Sequence, residues 1–438
     1  MKLFKTILFI AFILSITHSN LYAQNITIIH AGKLLAVPGE GVITKKTLVI
    51  KNGVISSIKD GFLSPTDLGF INDNVKIVDL SKKFIMPGFI DMHTHITVER
   101  DPKKNPHEWT TLNDEDFAFA AIPYLKITLA AGFTTVRNLG ANSFTNINAI
   151  KSAIKKGIIE GPRIISATAP VSATGGHGDS HGYRPQIQKA LDKSVGVCDG
   201  ADDCRRAVRA LVKQGADVIK ITATGGVLSN TSAGVGQQLT DEELLSIVKT
   251  AHSLGRKVAA HAHSADGINA ALRAGVNSIE HGSYLDDKSV KLFRETNAYL
   301  VPTLLAGVWL SEEMEINKNI PPAILEKIKQ VVPVVEESFK RALKGKVNIA
   351  FGTDSGVSKH GTNAREFVLM VKYGMDSEEA IKSATINAAE LLGMYDKIGS
   401  IENGKIADII AVDGDPLKDI SVLQNVQFVM KSGVIFKN

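Results

Sequence analysis

Between residues 85 and 395 short apolar runs alternate with helix-length segments, and that alternation limits what the chain can fold into. Eight runs qualify: FIDMHTH, TTVRNLG, RIISATAP, DVIKITA, KVAAHAHS, SIEHG, YLVPTLL and NIAFGTDS. The segments between them read as helices. TDEELLSIVKTAHSLG opens on Thr240 with Glu243 three residues on, the pairing of a capping box. Strands separated by helices pair in parallel. Eight such units predict an α/β fold, a closed (β/α)8 TIM barrel over 85–395. A doubly wound open sheet competes, but no GxGxxG opens a first βα unit and no GxxxxGK(S/T) is present.

The flanks read differently. Residues 24–84 hold short Val-, Ile- and Thr-rich stretches with a turn signal at Asn52-Gly53, and residues 396–438 resemble them. The expectation is one composite β-sandwich domain built from both chain ends. Residues 1–23 carry Lys2 and Lys5, an apolar core from Ile7 to Ile16 and a polar stretch ending at Ala23. That is a secretory signal pattern, too short for a membrane span. It predicts cleavage near Ala23 and a periplasmic or extracellular protein.

The chain has 438 residues, 44% hydrophobic and 22% charged, which suits a folded globular protein. Its net charge of +5 comes from Lys and Arg interspersed with acids, so nucleic acid is not an expected partner. No second run approaches membrane length. Cys198 and Cys204 are the only cysteines. In an oxidising compartment they could form a small-loop disulfide, and two free thiols is the alternative.

Polar residues stand where a barrel's active site would be, at the C-terminal ends of predicted strands. His93 and His95 lie two apart in a strand, so their side chains share a face, which suits two imidazole ligands on one metal. Lys220 interrupts the apolar run ADVIKITAT, where a bare charge is costly to bury. His261, His281 and Asp354 end three further runs. Any one of these residues alone is unremarkable; the set points to a metal centre.

The motifs PGFIDMHTH, VIKITATGG, HAHS, IEHG and FGTDS, with NGVISSI and GSIENGKIADIIAVDGDP at the flanks, resemble the amidohydrolase superfamily over essentially the whole mature chain. VCDGADDCRRAVRALVKQGADVIKITATGGV and TGGHGDSHGY are similar to its imidazolonepropionase-like branch. The resemblance implies two divalent metals bridged by a carboxylated lysine, with CO2 bound as the Lys220 carbamate. One metal would take His93, His95, Lys220 and Asp354, and the other Lys220, His261 and His281. His263 would support the ligands from behind or be structural. A metal-bridging hydroxide would attack the carbonyl carbon, and Asp354 would pass its proton to the leaving nitrogen. Zinc suits these ligands, as would manganese, cobalt or iron. The branch implies a Xaa-Pro type dipeptidase or a carboxypeptidase acting on small peptides or N-acyl amino acids. A cyclic amidase or lactonase on the same site is an alternative. Imidazolonepropionase itself lacks the bridging lysine, so Lys220 and the signal segment argue against it.

Substrate contacts are expected from the loops after the strands: His177 first, with Asp179, His181 and Tyr183, then Gly225, Gly226 and Ser229. Arg137 could bind substrate or form an ion pair in the barrel mouth. The helical segment 311–345 could cap the site or lie in a homo-oligomer interface. Two readings compete. Gly178-Asp179-Ser180-His181-Gly182 matches the GxSxG of serine hydrolases, but TGGH precedes it where a nucleophile elbow needs a strand. A non-catalytic periplasmic binding protein would be expected to have lost a ligand, and every expected ligand type is present.

Overall fold

Alternation at the chain ends builds a sheet. The computed structural model describes residues 25–438 apart from 72–73, 104, 106–107, 142 and 192–194. The expected signal segment lies outside the described residues. Four strands come first: β1 (Ile26–Leu34), β2 (Ile43–Lys51), β3 (Val54–Asp60) and β4 (Val75–Pro87). Asn52 and Gly53 turn β2 into β3 with φ of 51° and 82°, the left-handed pair that a two-residue hairpin requires.

Nine short strands follow: β5 (Phe89–Thr94), β6 (Phe133–Asn138), β7 (Arg163–Ser166), β8 (Pro170–Val171), β9 (Val218–Thr222), β10 (Lys257–Ala262), β11 (Ser278–His281), β12 (Tyr299–Val301) and β13 (Asn348–Ile349). The chain closes with β14 (Ile409–Val412), β15 (Val426–Lys431) and β16 (Val434–Lys437).

Strands from both chain ends join in one seven-stranded sheet, ordered β16-β15-β14-β4-β1-β2-β3. Its two faces separate by side-chain parity. Ile85, Ile409, Ala411, Phe428 and Met430 pack into a core of the sheet's own. Their neighbours Phe84, Met86, Ile410, Val412 and Val429 belong to the large core beneath the helices. The sheet is thereby fixed against the central α/β layer.

That central layer is an α/β fold with parallel sheets. β5-β6-β7 form one, and β13-β12-β11-β10-β9-β8 the other, every pair parallel. All eight apolar runs supply strands, but the third supplies two. Thr168, at φ 65°, breaks it, so that β7 pairs with β6 and β8 with β9. Further hydrogen bonds join the two sheets at both margins: Asp217 N–H donates to Ser166 O at 2.8 Å, and Met92 N–H to Phe351 O at 2.9 Å. Among the described residues no helix is long and apolar enough to cross a membrane.

Candidate metal centre

The strand ends bring the expected ligands together around a cavity of about 400 Å³. His93, His95, Lys220, His261, His281 and Asp354 all line it, as do His177 and His263. His93 is carried on β5 with His95 one residue past its end, Lys220 on β9, His261 on β10, and His281 closes β11. The β9–β10 register sets Lys220 opposite Ala259 and His261 opposite Thr222.

His93, His95 and Asp354 form the tightest group, with one ligand atom from each within 4.8 Å of the others. Asp354 Oδ1 lies 3.4 Å from His93 Nε2 and 3.2 Å from His95 Nε2. Yet that buried oxygen has no hydrogen-bond partner among the described residues. A buried carboxylate oxygen aimed at two imidazole nitrogens without a bond to either is a donor set that suits a metal ion. Burial works against the Asp354 charge, but His93, His95 and His281 outweigh it and hold the carboxyl well below the usual range. Asp354 and His281 both adopt left-handed backbone, φ 58° and 71°. Non-glycine residues rarely do so, and such strain concentrates at functional sites.

The second group is set by hydrogen bonds to the far side of each ring. His261 Nε2 meets the Gly225 carbonyl at 3.2 Å. A carbonyl only accepts, so Nε2 carries the proton and Nδ1 keeps its lone pair. His93 Nδ1 donates to Glu280 Oε2 at 2.9 Å, which leaves its Nε2 as the bare nitrogen. His281 Nδ1 is paired with Thr303 Oγ1 at 2.7 Å. Orienting partners of this kind fix ring position and tautomer in metal sites. Ring centroids of His261 and His281 are 4.7 Å apart, and those of His93 and His281 5.1 Å. Burial depresses all three: His93 to about 4, His261 and His281 well below their ordinary value. Each is therefore neutral near pH 7, the ligating form.

Lys220 is only 5% exposed, and no hydrogen bond to its Nζ is found among the described residues. Burial lowers its pKa to about 8.

The remaining expected residues fall into two classes. His177 lines the cavity; its Nδ1 is 2.6 Å from Ser229 Oγ, and burial pushes it down to about 3. Gly226 makes room for it, since a Cβ there would stand 2.2 Å from His177 Cε1. Ser229 lies behind His177, its Oγ donating on to Gly226 O at 3.2 Å. Lys327 clamps this loop from the helix Pro322–Lys344 by donating to Gly226 O and Ser229 O at 2.9 and 2.6 Å. His263 Nδ1 is held by Ser283 Oγ at 2.7 Å.

Arg137, Tyr183, Asp179 and His181 do not reach the cavity wall. The guanidinium of Arg137 is engaged by Met92 O, Ser278 Oγ and Glu280 Oε1 at 2.6, 3.1 and 2.8 Å. The substrate role allowed for it is therefore corrected to an ion pair beneath His93. Tyr183 packs edge-on against Trp109. Asp179 accepts from Gly175 N–H, and His181 Nε2 pairs with Gly176 O. Asp179 and His181 are spent on folding their own loop, and Tyr183 on holding it against the segment Glu108–Thr111. Ser180 sits in that same loop, with turn residues and no strand immediately before it, so the GxSxG match has no elbow geometry. Segment 311–345 contributes Val331, Val332 and Val335 to the cavity wall.

Glu280 is the residue that sequence reasoning missed. It is 0% exposed and accepts from His93, Arg137 and Ser278 Oγ. Burial raises its pKa, but Arg137 and His93 outweigh burial and hold it at about 2. An acid inside the apolar run SIEH was the available signal.

The amidohydrolase family pattern matches residues 84–436. The chain belongs to the amidohydrolase family. It is a metal-dependent hydrolase of carbon–nitrogen bonds. Ochratoxinase of Aspergillus niger is 32% identical over 94% of this chain and 87% of that protein. A crystal structure of a Xaa-Pro dipeptidase with bound methionine in the active site superimposes with a TM-score of 0.86 at 41% identity, covering 94% of this chain and 100% of the other. A prolidase complexed with N-methylphosphonate-L-proline gives 0.83 at 30% identity, over 94% and 100%.

Proposed function

We propose that this amidohydrolase is exported and cleaves the amide bond of a dipeptide of the Xaa-Pro kind, or of an N-acyl amino acid, with two divalent metals. The carrying observation is Lys220. It is buried, no hydrogen bond to its Nζ is found among the described residues, and its charge acts on the His93, Asp354 and His261–His281 groups alike. Conversion to a carbamate would replace a costly buried cation by an anion with two oxygen donors. A pKa near 8 leaves a useful fraction of neutral amine, the form that takes up CO2. His93, His95, Asp354 and Lys220 would hold one metal, zinc fitting best, and Lys220, His261 and His281 the other. When bound, two metals lower the pKa of a shared water and polarise a carbonyl oxygen.

The chain's own residues do the rest. Asp354 stays ionised and can receive a proton and deliver it to the leaving nitrogen. Ser229 donates to Gly226 O, so it accepts from His177 Nδ1 and leaves His177 Nε2 as an acceptor suited to a substrate N–H. Likeness to a Xaa-Pro dipeptidase and a prolidase supports the substrate class. The signal-like start and the Cys198–Cys204 bond support export. We infer too that the two parallel sheets are arcs of one closed (β/α)8 barrel, which the hydrogen bonds at both margins support.

The test is hydrolysis of a dipeptide and N-acyl amino acid panel before chelation, after it, and after zinc and bicarbonate are returned. Loss and recovery are expected. Turnover that survives chelation, or that a serine-reactive inhibitor abolishes, would contradict the reading.

A further inference from the structure

Gly307 sits in the fourth position of the helix Leu304–Ile316, in the sequence LLAGVWL. Glycine is the poorest helix former after proline, so a glycine there calls for a reason. Two common reasons are absent. Its backbone is not in the left-handed region, because its φ is not positive. Nor does another part of the chain approach it closely, since a Cβ built on it meets nothing within 4 Å. What remains is the space itself, which belongs to the catalytic cavity that Gly307 lines.

The wall around that space is apolar. Ala306 and Leu310 flank Gly307 on its own helix, and Val331, Val332 and Val335 come from the helix Pro322–Lys344. Leu310 packs in one apolar cluster with these three valines, and among the described residues Lys220 and Asp354 are the only Lys, Arg, Asp or Glu lining the cavity, both at the metal centre. Lys327, the buried cation of the second helix, is turned onto the Gly226 and Ser229 carbonyls. A charged group placed here would lose its hydration without gaining a partner.

We propose that Gly307 is the specificity-determining residue of an apolar subsite, which takes a bulky uncharged side chain, branched aliphatic or aromatic, from one side of the scissile amide. The inference rests on the reading that amides are cleaved at this centre. Helix stability is given up at Gly307 to leave room for the substrate.

The experiment measures kcat/KM for the acetyl and benzoyl amides of glycine, leucine and phenylalanine on the wild-type chain, Gly307→Ala and Gly307→Leu. Growth of either the acyl or the amino side is thereby sampled. In Gly307→Leu the preference for the bulky over the small member is expected to fall about tenfold or more, the scale of methylene-sized misfits in apolar pockets. Gly307→Ala should show a smaller fall together with a raised thermal midpoint, because alanine is the better helix former and its Cβ enters open space. Unchanged preferences, or a lowered midpoint in Gly307→Ala, would overturn the proposal. If Gly307→Leu does not fold, Gly307→Val takes its place. If the wild-type chain cleaves none of the amides, the proposed function fails, and calorimetry with N-benzoylphenylalanine still decides the subsite. Binding to the wild type that is lost in the larger variant supports it; equal binding, or none to either, removes it.

Discussion

Replacing Glu280 by glutamine separates two jobs that one carboxylate performs. On one oxygen it neutralises Arg137 at 2.8 Å, and on the other it orients His93 at 2.9 Å, with both partners essentially buried. Removing one member of a buried ion pair strands the other charge and costs about 3–5 kcal/mol. Removing the partner of a metal-ligating imidazole costs about 10–100-fold in metal affinity. Glu280→Gln should therefore show both losses: a lowered urea midpoint for the metal-free chain and weaker zinc in competition with a chelating dye. Adding Arg137→Met divides them. With the stranded guanidinium gone, most of the stability should return. His93 would still lack its carboxylate, so the affinity should not. The reasoning is refuted if Glu280→Gln costs less than about 1 kcal/mol, or if the double variant recovers wild-type zinc affinity.

Three further outcomes are expected. Asp354→Asn should keep the fold, because asparagine tolerates the left-handed φ of 58°, and should lose about 10²–10⁴-fold in kcat; full activity would exclude Asp354 as the proton carrier. His360 donates from Nε2 to Val98 O at 2.8 Å, its buried Nδ1 has no hydrogen-bond partner among the described residues, and burial lowers its pKa to about 4. Between pH 6.5 and 4 the unfolded state therefore binds a proton that the folded state does not, and stability present above pH 6.5 is lost as pH falls. His360→Gln should flatten that loss by about 1.4 kcal/mol per pH unit within the window, read as urea midpoints at pH 7 and 5; parallel curves would contradict it. Cys198 and Cys204, six residues apart and buried, are joined in a disulfide. Replacing both by alanine should cost about 2 kcal/mol by loop entropy, seen as a fall in the thermal midpoint that reductant reproduces in the wild type and not in the variant.

The residues proposed to hold metal were readable because each is a chemical misfit in its own segment. Lys220 breaks an apolar strand, and His93 and His95 repeat at strand period. Glu280 is the same kind of misfit, but the motif SIEH drew attention to the histidine beside it. Its partner Arg137 lies 143 residues away, and no local pattern pairs two such distant charges, which is why Arg137 could not be assigned between substrate and structure. Loop residues were less legible still. Tyr183 and Ser229 have no periodicity to fix their direction, and only the folded loops show that one meets Trp109 and the other supports His177. The break at Thr168 had no signal, since a left-handed position usually announces itself with glycine. At the chain ends the alternation announced strands. It did not reveal that β1 pairs in parallel with β4 across the intervening hairpin, a contact set by long-range packing.

Metal content per chain tests the central claim most directly. The mature protein would be purified without chelator, supplied with zinc or manganese and bicarbonate, and measured beside Lys220→Ala. The carbamate-bridged account predicts close to two metals in the wild type and a clear fall in the variant. A value near zero, or a content that Lys220→Ala leaves unchanged, would contradict it.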